Sequence, residues 1–390
     1  MAGWIADHYL NHRFMLLLSA LFMFAGCLLT ATPQLIYYGI VCTALGSAFT
    51  IAVNCLLTNM FQQDDIKRED AFLRNYSVMN IGFITSFIIS GYFELYQQYQ
   101  LLFMVSSGFS VLALLVILFS WDFLSAHNNN PFRLNRNLLG TLFIVIMYAS
   151  LFGLLNIASI GKQYFQIFSI VFVIVIVYYT LRNISKKQKN NLFTYFIFIF
   201  PVLIFSTIHY LSPMVLTLFM ERNVDRHCFG QLITPQWVQL FGNFAIIVGG
   251  PLLCYLFNRL RNVGIKINTT LQFSAALMLI GTSLLIITAG IWLSNAGSLV
   301  NFNWIMISNL TQGFAELLIA PIGFSMIAKI APSCSRGTMM GIWLLLLSTG
   351  ATFAGFISNM TSDVSFSFLI LGSFSIITGL VICLFRFKQV

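Results

Sequence analysis

Twelve stretches of the chain are apolar for long enough to cross a bilayer, and short polar segments separate them. A spanning helix needs about 20 predominantly apolar residues. The runs are 14–31, 34–61, 72–94, 99–121, 137–156, 164–182, 192–220, 234–257, 268–293, 303–330, 337–358 and 365–385. The pattern predicts an all-α, polytopic membrane protein with 12 transmembrane helices. The fifth and sixth runs are poor in polar residues, and the polar stretch 127–136 and the basic stretch LRNISKKQKNN bracket them. They read as a pair inserted between two larger bundles. The expected organisation is therefore 1–124 as a four-helix bundle, 125–190 as the inserted pair with its basic linker, and 191–390 as a six-helix bundle.

Composition agrees with the pattern. Over 390 residues, 58% are hydrophobic and 8% charged, outside the range of soluble domains. The formal charge of +9 could suggest nucleic acid, but the bases are scattered through short loops between apolar runs, so no nucleic-acid partner is expected. They report orientation instead. With residues 1–13 in the cytoplasm, 12 crossings put every Lys and Arg on the cytoplasmic side except Lys162, Arg222 and Arg226, as the positive-inside rule requires. Both termini are then expected in the cytoplasm, and a plasma (bacterial inner) membrane is the expected setting. Residues 1–13 are polar and the run after them is long enough to span, so no cleavable leader is expected. Seven Cys, an odd number lying mostly inside the runs, have neither metal-ligand nor disulfide-framework spacing and read as packing residues.

The chemistry centres on Glu316, in the middle of the run 303–330. A charged side chain at mid-bilayer costs at least ~3 kcal/mol, so it faces protein or a wet cavity and marks function. Asn309, Gln312, Glu316, Ala320 and Gly323 fall on one helical stripe of polar or small residues. On the seventh run Ser206, His209, Pro213 and Thr217 make a polar seam. Pro213 is expected to bend that helix, and the His209 imidazole is a group that can relay protons. An enzyme needs a nucleophile with its base or a cluster of metal ligands. No such pairing accompanies Glu316, so neither an enzyme nor a metal site is expected.

Several motifs resemble the proton-dependent oligopeptide transporter family, a branch of the major facilitator superfamily. AGWIADHYLNHR resembles its Gly-Gly-x-x-Ala-Asp loop, with Asp7 and Arg13 at the charged positions. YSVMNIG is similar to Phe-Tyr-x-x-x-Asn-x-Gly through Tyr76, Asn80 and Gly82. LFMERNVDR, PQWVQLFGN and GGPLL resemble the seventh and eighth helices. GFAELLIAPIGFSMIAKIAPSCSRGTMMGIWLL resembles Gly-Glu-x-x-x-x-Pro-x-Gly running through Lys-x-Ala-Pro to Met-Met-Gly-x-Trp. The resemblance implies major facilitator-like bundles with two inserted helices. It also makes the first run here the family's third helix, so that the first two, with their Glu-x-x-Glu-Arg motif, lack a counterpart.

What the resemblance implies is a proton-coupled symporter of small peptides or peptide-like solutes, working by alternating access in a lipid bilayer. The proton gradient would be its energy source, with no cofactor. A transport-inactive, N-terminally truncated remnant or a transporter of a different solute is the alternative. Glu316 would receive a peptide ammonium and couple to protons with His209. Trp343 would wall the pocket, Asn243, Tyr76 and Asn80 would contact peptide, and Asp7, Arg13 and Pro213 would serve gating. The chain departs from the family at two places, the fourth and seventh helices, with Ala52 standing where the family has an Asn beside its Lys. Its usual fourth-helix Lys aligns with Thr50, and its seventh-helix Glu-Gln with Tyr210 and Leu211. Loss of that Lys removes a cation that could meet a peptide carboxylate.

Overall fold

A computed structural model describes residues 2–61, 65, 67–126, 134–156, 198–228, 231–264, 268–294, 298–331, 335–360 and 364–384. Their helices are α1 (Ala2–His8), α2 (His12–Thr30), α3 (Ile36–Phe49), α4 (Ile51–Asn59), α5 (Lys67–Leu95), α6 (Tyr99–Phe119), α7 (Trp121–Ala126) and α8 (Leu134–Asn156) in the first part of the chain. In the second part come α9 (Ile199–Leu211), α10 (Thr217–Asn223), α11 (Gln239–Asn262), α12 (Thr269–Leu293), α13 (Phe302–Leu317), α14 (Ala320–Ile330), α15 (Arg336–Met360) and α16 (Val364–Leu384). Among the described residues, ten helical stretches are long and apolar enough to cross a membrane. The run at 137–156 is represented by a shorter apolar segment, Leu138–Gly153. The run at 164–182 lies outside the described residues.

Three expected single helices are composite. The second span changes helix at Thr50, whose hydroxyl donates to the Ser47 carbonyl at 2.6 Å. The seventh passes through a wide π-helical turn, Ser212–Leu216, where Pro213 supplies no amide proton to the ladder. The tenth breaks between Leu317 and Ala320. There the Leu318 and Ile319 amides reach only three residues back, to the Ala315 and Glu316 carbonyls at 3.2 and 3.1 Å. Pro321 then starts α14, a position where its missing amide proton costs nothing. Residues 2–8, expected as loop, form α1, with Gly3, Ile5 and Ala6 buried.

The chain divides into two compact units. The first comprises Met1–Asp65, Tyr96–Leu192 and Ile327–Ile342. Its close contact runs along α2 and α3. A Cβ on Gly39 would lie 2.2 Å from the Thr30 hydroxyl, and Ser19 Oγ donates to the Gly46 carbonyl at 2.7 Å. Small residues bring two backbones together there, and hydroxyls meet the carbonyls, as lipid-embedded helices require.

The second unit comprises Ile66–Leu95, Phe193–Met326 and Trp343–Val390. Its most extensive seam joins α12 to α16. A Cβ on Gly281 would sit 2.6 Å from the Gly372 carbonyl, Ser274 Oγ donates to the Gly379 carbonyl at 2.6 Å, and Ser375 Oγ donates to the Leu277 carbonyl at 2.8 Å. Helices α5 and α11 approach closely at Ser77 and Gly250, and Ser77 Oγ donates to the Ile246 carbonyl at 3.2 Å. Two short strand pairs cap this unit: Val224–Asp225 runs parallel to Val300–Asn301, and His227–Cys228 antiparallel to Gln231–Leu232.

Candidate functional site

The break after α13 sets the position of Glu316. One residue before the end of that helix, its backbone leaves the regular ladder, and its side chain is 19% exposed. Helix breaks at membrane depth are tolerated where they are buried in protein or line a wet cavity. Three other side chains of the same unit converge on it. The Tyr76 hydroxyl, from α5, donates to Glu316 Oε1 across 240 residues of sequence. His209, from α9, holds Nδ1 3.8 Å from Glu316 Oε2. Gln312, one turn before Glu316, donates Nε2 to the His209 carbonyl at 3.2 Å and lies 3.4 Å from His209 Nδ1.

The two contacts of His209 Nδ1 exclude each other. When neutral with its proton on Nε2, the ring accepts from the Gln312 amide. When Nδ1 carries a proton, it can only face the carboxylate. The partner of this ring nitrogen therefore depends on whether it carries a proton. Phe205 stacks on the imidazole at 5.9 Å, and Tyr210 meets it edge-on at 5.2 Å. A carboxylate, an imidazole and two phenols thus share one aromatic pocket, an arrangement able to hold a cation or pass a proton.

The remaining expected residues fall into other settings. Asn80 is buried and donates Nδ2 to the Tyr76 carbonyl on its own helix, at 2.8 Å, so its amide braces the turn that carries Tyr76. Trp343 is fully buried. It packs edge-on against Phe273 at 6.2 Å and so closely on Gly323 that a Cβ there would lie 2.0 Å from the indole. Asn243 is partly exposed on α11, next to the point where Gly242 and Gly313 bring α11 and α13 together. Ser206, of the seventh-run seam, is sealed beneath Gly350.

Asp7 makes a separate construction in the first unit. Its Oδ1 accepts from the Gly337 amide at 2.9 Å, and its Oδ2 accepts from the Thr338 amide and hydroxyl, both at 2.7 Å. These amides belong to the first turn of α15, where helical N–H groups have no partner within the helix and an anion is favoured. Burial pushes the Asp7 carboxyl up to about 6, and the bonds from Thr338 and Gly337 pull the other way. Gly3 is essential to the approach, since a Cβ there would lie 1.9 Å from the Gly337 carbonyl. The Arg13 guanidinium sits 4.7 Å above the Trp121 ring, a cation–π contact within the same unit.

The charge run 64–70, which reads from the sequence as a solvated, inside-facing loop cluster, joins a defined ion-pair network through Glu69 and Asp70 instead. Arg261 pairs with Glu69 and, at 3.4 Å, with Asp70. Gln272 donates to Glu69 at 3.0 Å, and Asn258 to Asp70 at 3.0 Å. The acidic pair stands in the charge run before the third span and Arg261 in a loop-proximal basic cluster, but no spacing links them.

The fold and this carboxylate-centred site define a class: a polytopic helical membrane transporter of major facilitator type. The sequence matches the POT family over residues 14–377, and the chain belongs to that family. Among relatives, dipeptide and tripeptide permease A of Erwinia pyrifoliae is 24% identical over 371 residues, covering 92% of this chain and 74% of the relative. Dipeptide and tripeptide permease B of Salmonella typhimurium is 25% identical over 371 residues, covering 93% of this chain and 76% of the relative. The fold is similar to that of a POT family transporter solved with 5-aminolevulinic acid, with TM-score 0.81 at 19% identity over 98% of this chain and 83% of the other. A POT family transporter solved with a thioalcohol conjugated peptide gives TM-score 0.80 at 20% identity over the same shares.

Proposed function

We propose that the protein is a proton-coupled symporter of small peptides or peptide-like solutes. It works by alternating access in a bacterial inner membrane, with 12 spans, both termini cytoplasmic, and an inserted helix pair at 125–190. Glu316 receives the solute's ammonium group. The observation that carries this reading is the trio of Tyr76, Glu316 and His209 at the break after α13.

A desolvated carboxylate must be neutralised by a proton, a cation or a charged donor. Here a proton shared with His209 serves in one state and the solute amine in the other. Arrival of the amine at Glu316 displaces the Tyr76 hydroxyl and leaves His209 free to return to Gln312. Discontinuous helices are where alternating-access carriers place such exchange, because a broken helix can re-aim its side chains at small cost. Asn243, Asn80 and Trp343 act as peptide-contacting or supporting groups, Arg13 and Pro213 act in gating, and Asp7, expected among the gating residues, instead anchors α1 on the first turn of α15.

The test is uptake of a labelled dipeptide into proteoliposomes under an inward proton gradient. Glu316→Gln should abolish driven uptake, and unchanged uptake in that variant overturns the assignment. The relatives' names, as dipeptide and tripeptide permeases, support the choice of probe.

A further inference from the structure

The two amides on the polar stripe of α13 are used differently. Asn309 donates Nδ2 to the Ile305 carbonyl of its own helix at 3.0 Å, so its amide is spent locally. Gln312 is buried and reaches across to α9, where Nε2 meets both the carbonyl and the Nδ1 of His209. In a regular helix the His209 carbonyl would accept from the amide of residue 213, and Pro213 has no amide proton. Inside a membrane, groups from neighbouring helices make good such a loss. The Gln312 amide does so at 3.2 Å.

This anchor fixes which end of the amide faces the ring. A carbonyl requires a donor, so Gln312 presents Nε2 rather than its oxygen, and the same nitrogen stands 3.4 Å from His209 Nδ1. Glu316 Oε2 faces Nδ1 from 3.8 Å. The two neighbours suit opposite forms of the ring. An amide N–H is satisfied by a bare lone pair, which puts the ring proton on Nε2, whereas a carboxylate is satisfied by Nδ1–H. We infer that Gln312 is a positioning residue for proton transfer: held on the carbonyl that Pro213 deprives of its helical donor, it keeps the neutral His209 ring in the Nε2–H form, with Nδ1 ready to accept a proton from Glu316. In that step the O–H bond at Oε2 breaks and an Nδ1–H bond forms, leaving a carboxylate beside an imidazolium. The Gln312 amide then keeps only its bond to the carbonyl, and the reverse step restores its contact with Nδ1. The inference rests on the proton exchange between Glu316 and His209 in the proposed function, and adds the group that readies the ring for it.

The ring form is read by nitrogen NMR of the full chain in lipid bilayers at alkaline pH, with isotopically labelled histidine. The His209 signals are assigned by their loss in His209→Asn. In the wild type the proton should lie on Nε2. Gln312→Met, similar in length but without a donor, should move it to Nδ1, facing Glu316, and Gln312→Glu should do the same with the original shape kept. In proteoliposomes, Gln312→Met should lower proton-driven uptake of a labelled dipeptide roughly 2- to 13-fold, the range for one neutral hydrogen bond, while exchange of internal for external dipeptide, which moves no net proton, should change less than about twofold. A wild-type proton on Nδ1, or an unchanged Nε2–H in either Gln312 variant, overturns the positioning role. So does an equal fall in driven uptake and in exchange, which marks a merely structural residue. If His209→Asn leaves driven uptake intact, the proton exchange itself falls and the positioning role with it.

Discussion

Asp7 and Glu316 are both carboxylates drawn out of water, one in each compact unit, and the difference between their partners separates a clamp from a working site. Asp7 is held by two backbone amides and a hydroxyl, all from the first turn of α15. None of these donors can give up or take a proton at ordinary pH, so only the protonation of Asp7 itself can alter the contact. Glu316 is held by a phenol and an imidazole, and the imidazole has a second partner waiting in Gln312. Groups that titrate or can be displaced make an anion exchangeable. Burial alone therefore does not identify the site; the chemistry of the donors does.

The contrast can be broken most directly at the two carboxylates themselves. Glu316→Gln should reduce proton-driven uptake by roughly 100-fold or more, the scale expected when a group essential to coupling is removed, while the thermal midpoint in detergent moves little. Asp7→Ala should behave in the opposite way. At pH 4 it orphans the Gly337 and Thr338 amides at the start of α15, at a cost of about 1–3 kcal/mol, measured as a lower unfolding midpoint at that pH. If Asp7→Ala leaves the midpoint unchanged and abolishes only uptake, the clamp reading fails.

The pH dependence of the Asp7 contact sharpens the comparison. Burial raises this carboxyl from 3.8 to about 6, so the folded protein binds a proton there that the unfolded chain has released. Its contribution to stability is fully present below about pH 4 and is lost as the pH rises through 6, by at most about 3 kcal/mol. Wild type should therefore lose stability between pH 4 and pH 7 relative to Asp7→Ala, and the gap between their midpoints should shrink over that window. A gap that widens with pH would show that the three hydrogen bonds outweigh burial.

Tyr76→Phe tests the other side at intermediate size. It removes the donor to Glu316 Oε1 while keeping the ring. One lost hydrogen bond to a charged group is worth about 1.5–3 kcal/mol, so uptake should fall by roughly 10-fold to 150-fold, with Asn80 still bonded to its carbonyl and the helix intact.

Much of this architecture was legible in the residues, and the limits are physical. The spans stood out because a bilayer demands long apolar runs, and Glu316 stood out because a charge inside one is rare. The interruption after Leu317 was harder to see. Leu318 and Ile319 continue the apolar pattern, and Pro321 is as acceptable at the start of a new helix as it is awkward within an old one. Partnership was least legible. Tyr76 and Glu316 lie 240 residues apart, and nothing local in either motif says that they meet. Asn80 is instructive in the other direction: its spacing from Tyr76 suggested two ligands on one face, but four residues is also the distance at which an amide reaches back to its own helix carbonyl. Trp343 matched a motif and is sealed on Gly323 and Phe273.

The smallest expected effect lies at the cluster of Glu69, Asp70 and Arg261, which sharpens the comparison by supplying a third kind of ion site. Here two carboxylates share one guanidinium within one unit, and amides from Gln272 and Asn258 add donors to the carboxylates. The side chains are 16–21% exposed, so water still screens them in part. Such pairs contribute about 0–1 kcal/mol each, and the contribution weakens as salt is added. Arg261→Ala should thus lower the unfolding midpoint by an amount equivalent to roughly 1 kcal/mol at low ionic strength. At 0.5 M salt the loss should fall to about half of that or less. Asp7→Ala should keep its penalty under the same salt, because its donors are backbone amides in a shielded contact. If salt erases both penalties alike, the Asp7 contact is solvent-screened and the distinction between a fixed clamp and an ordinary ion pair disappears.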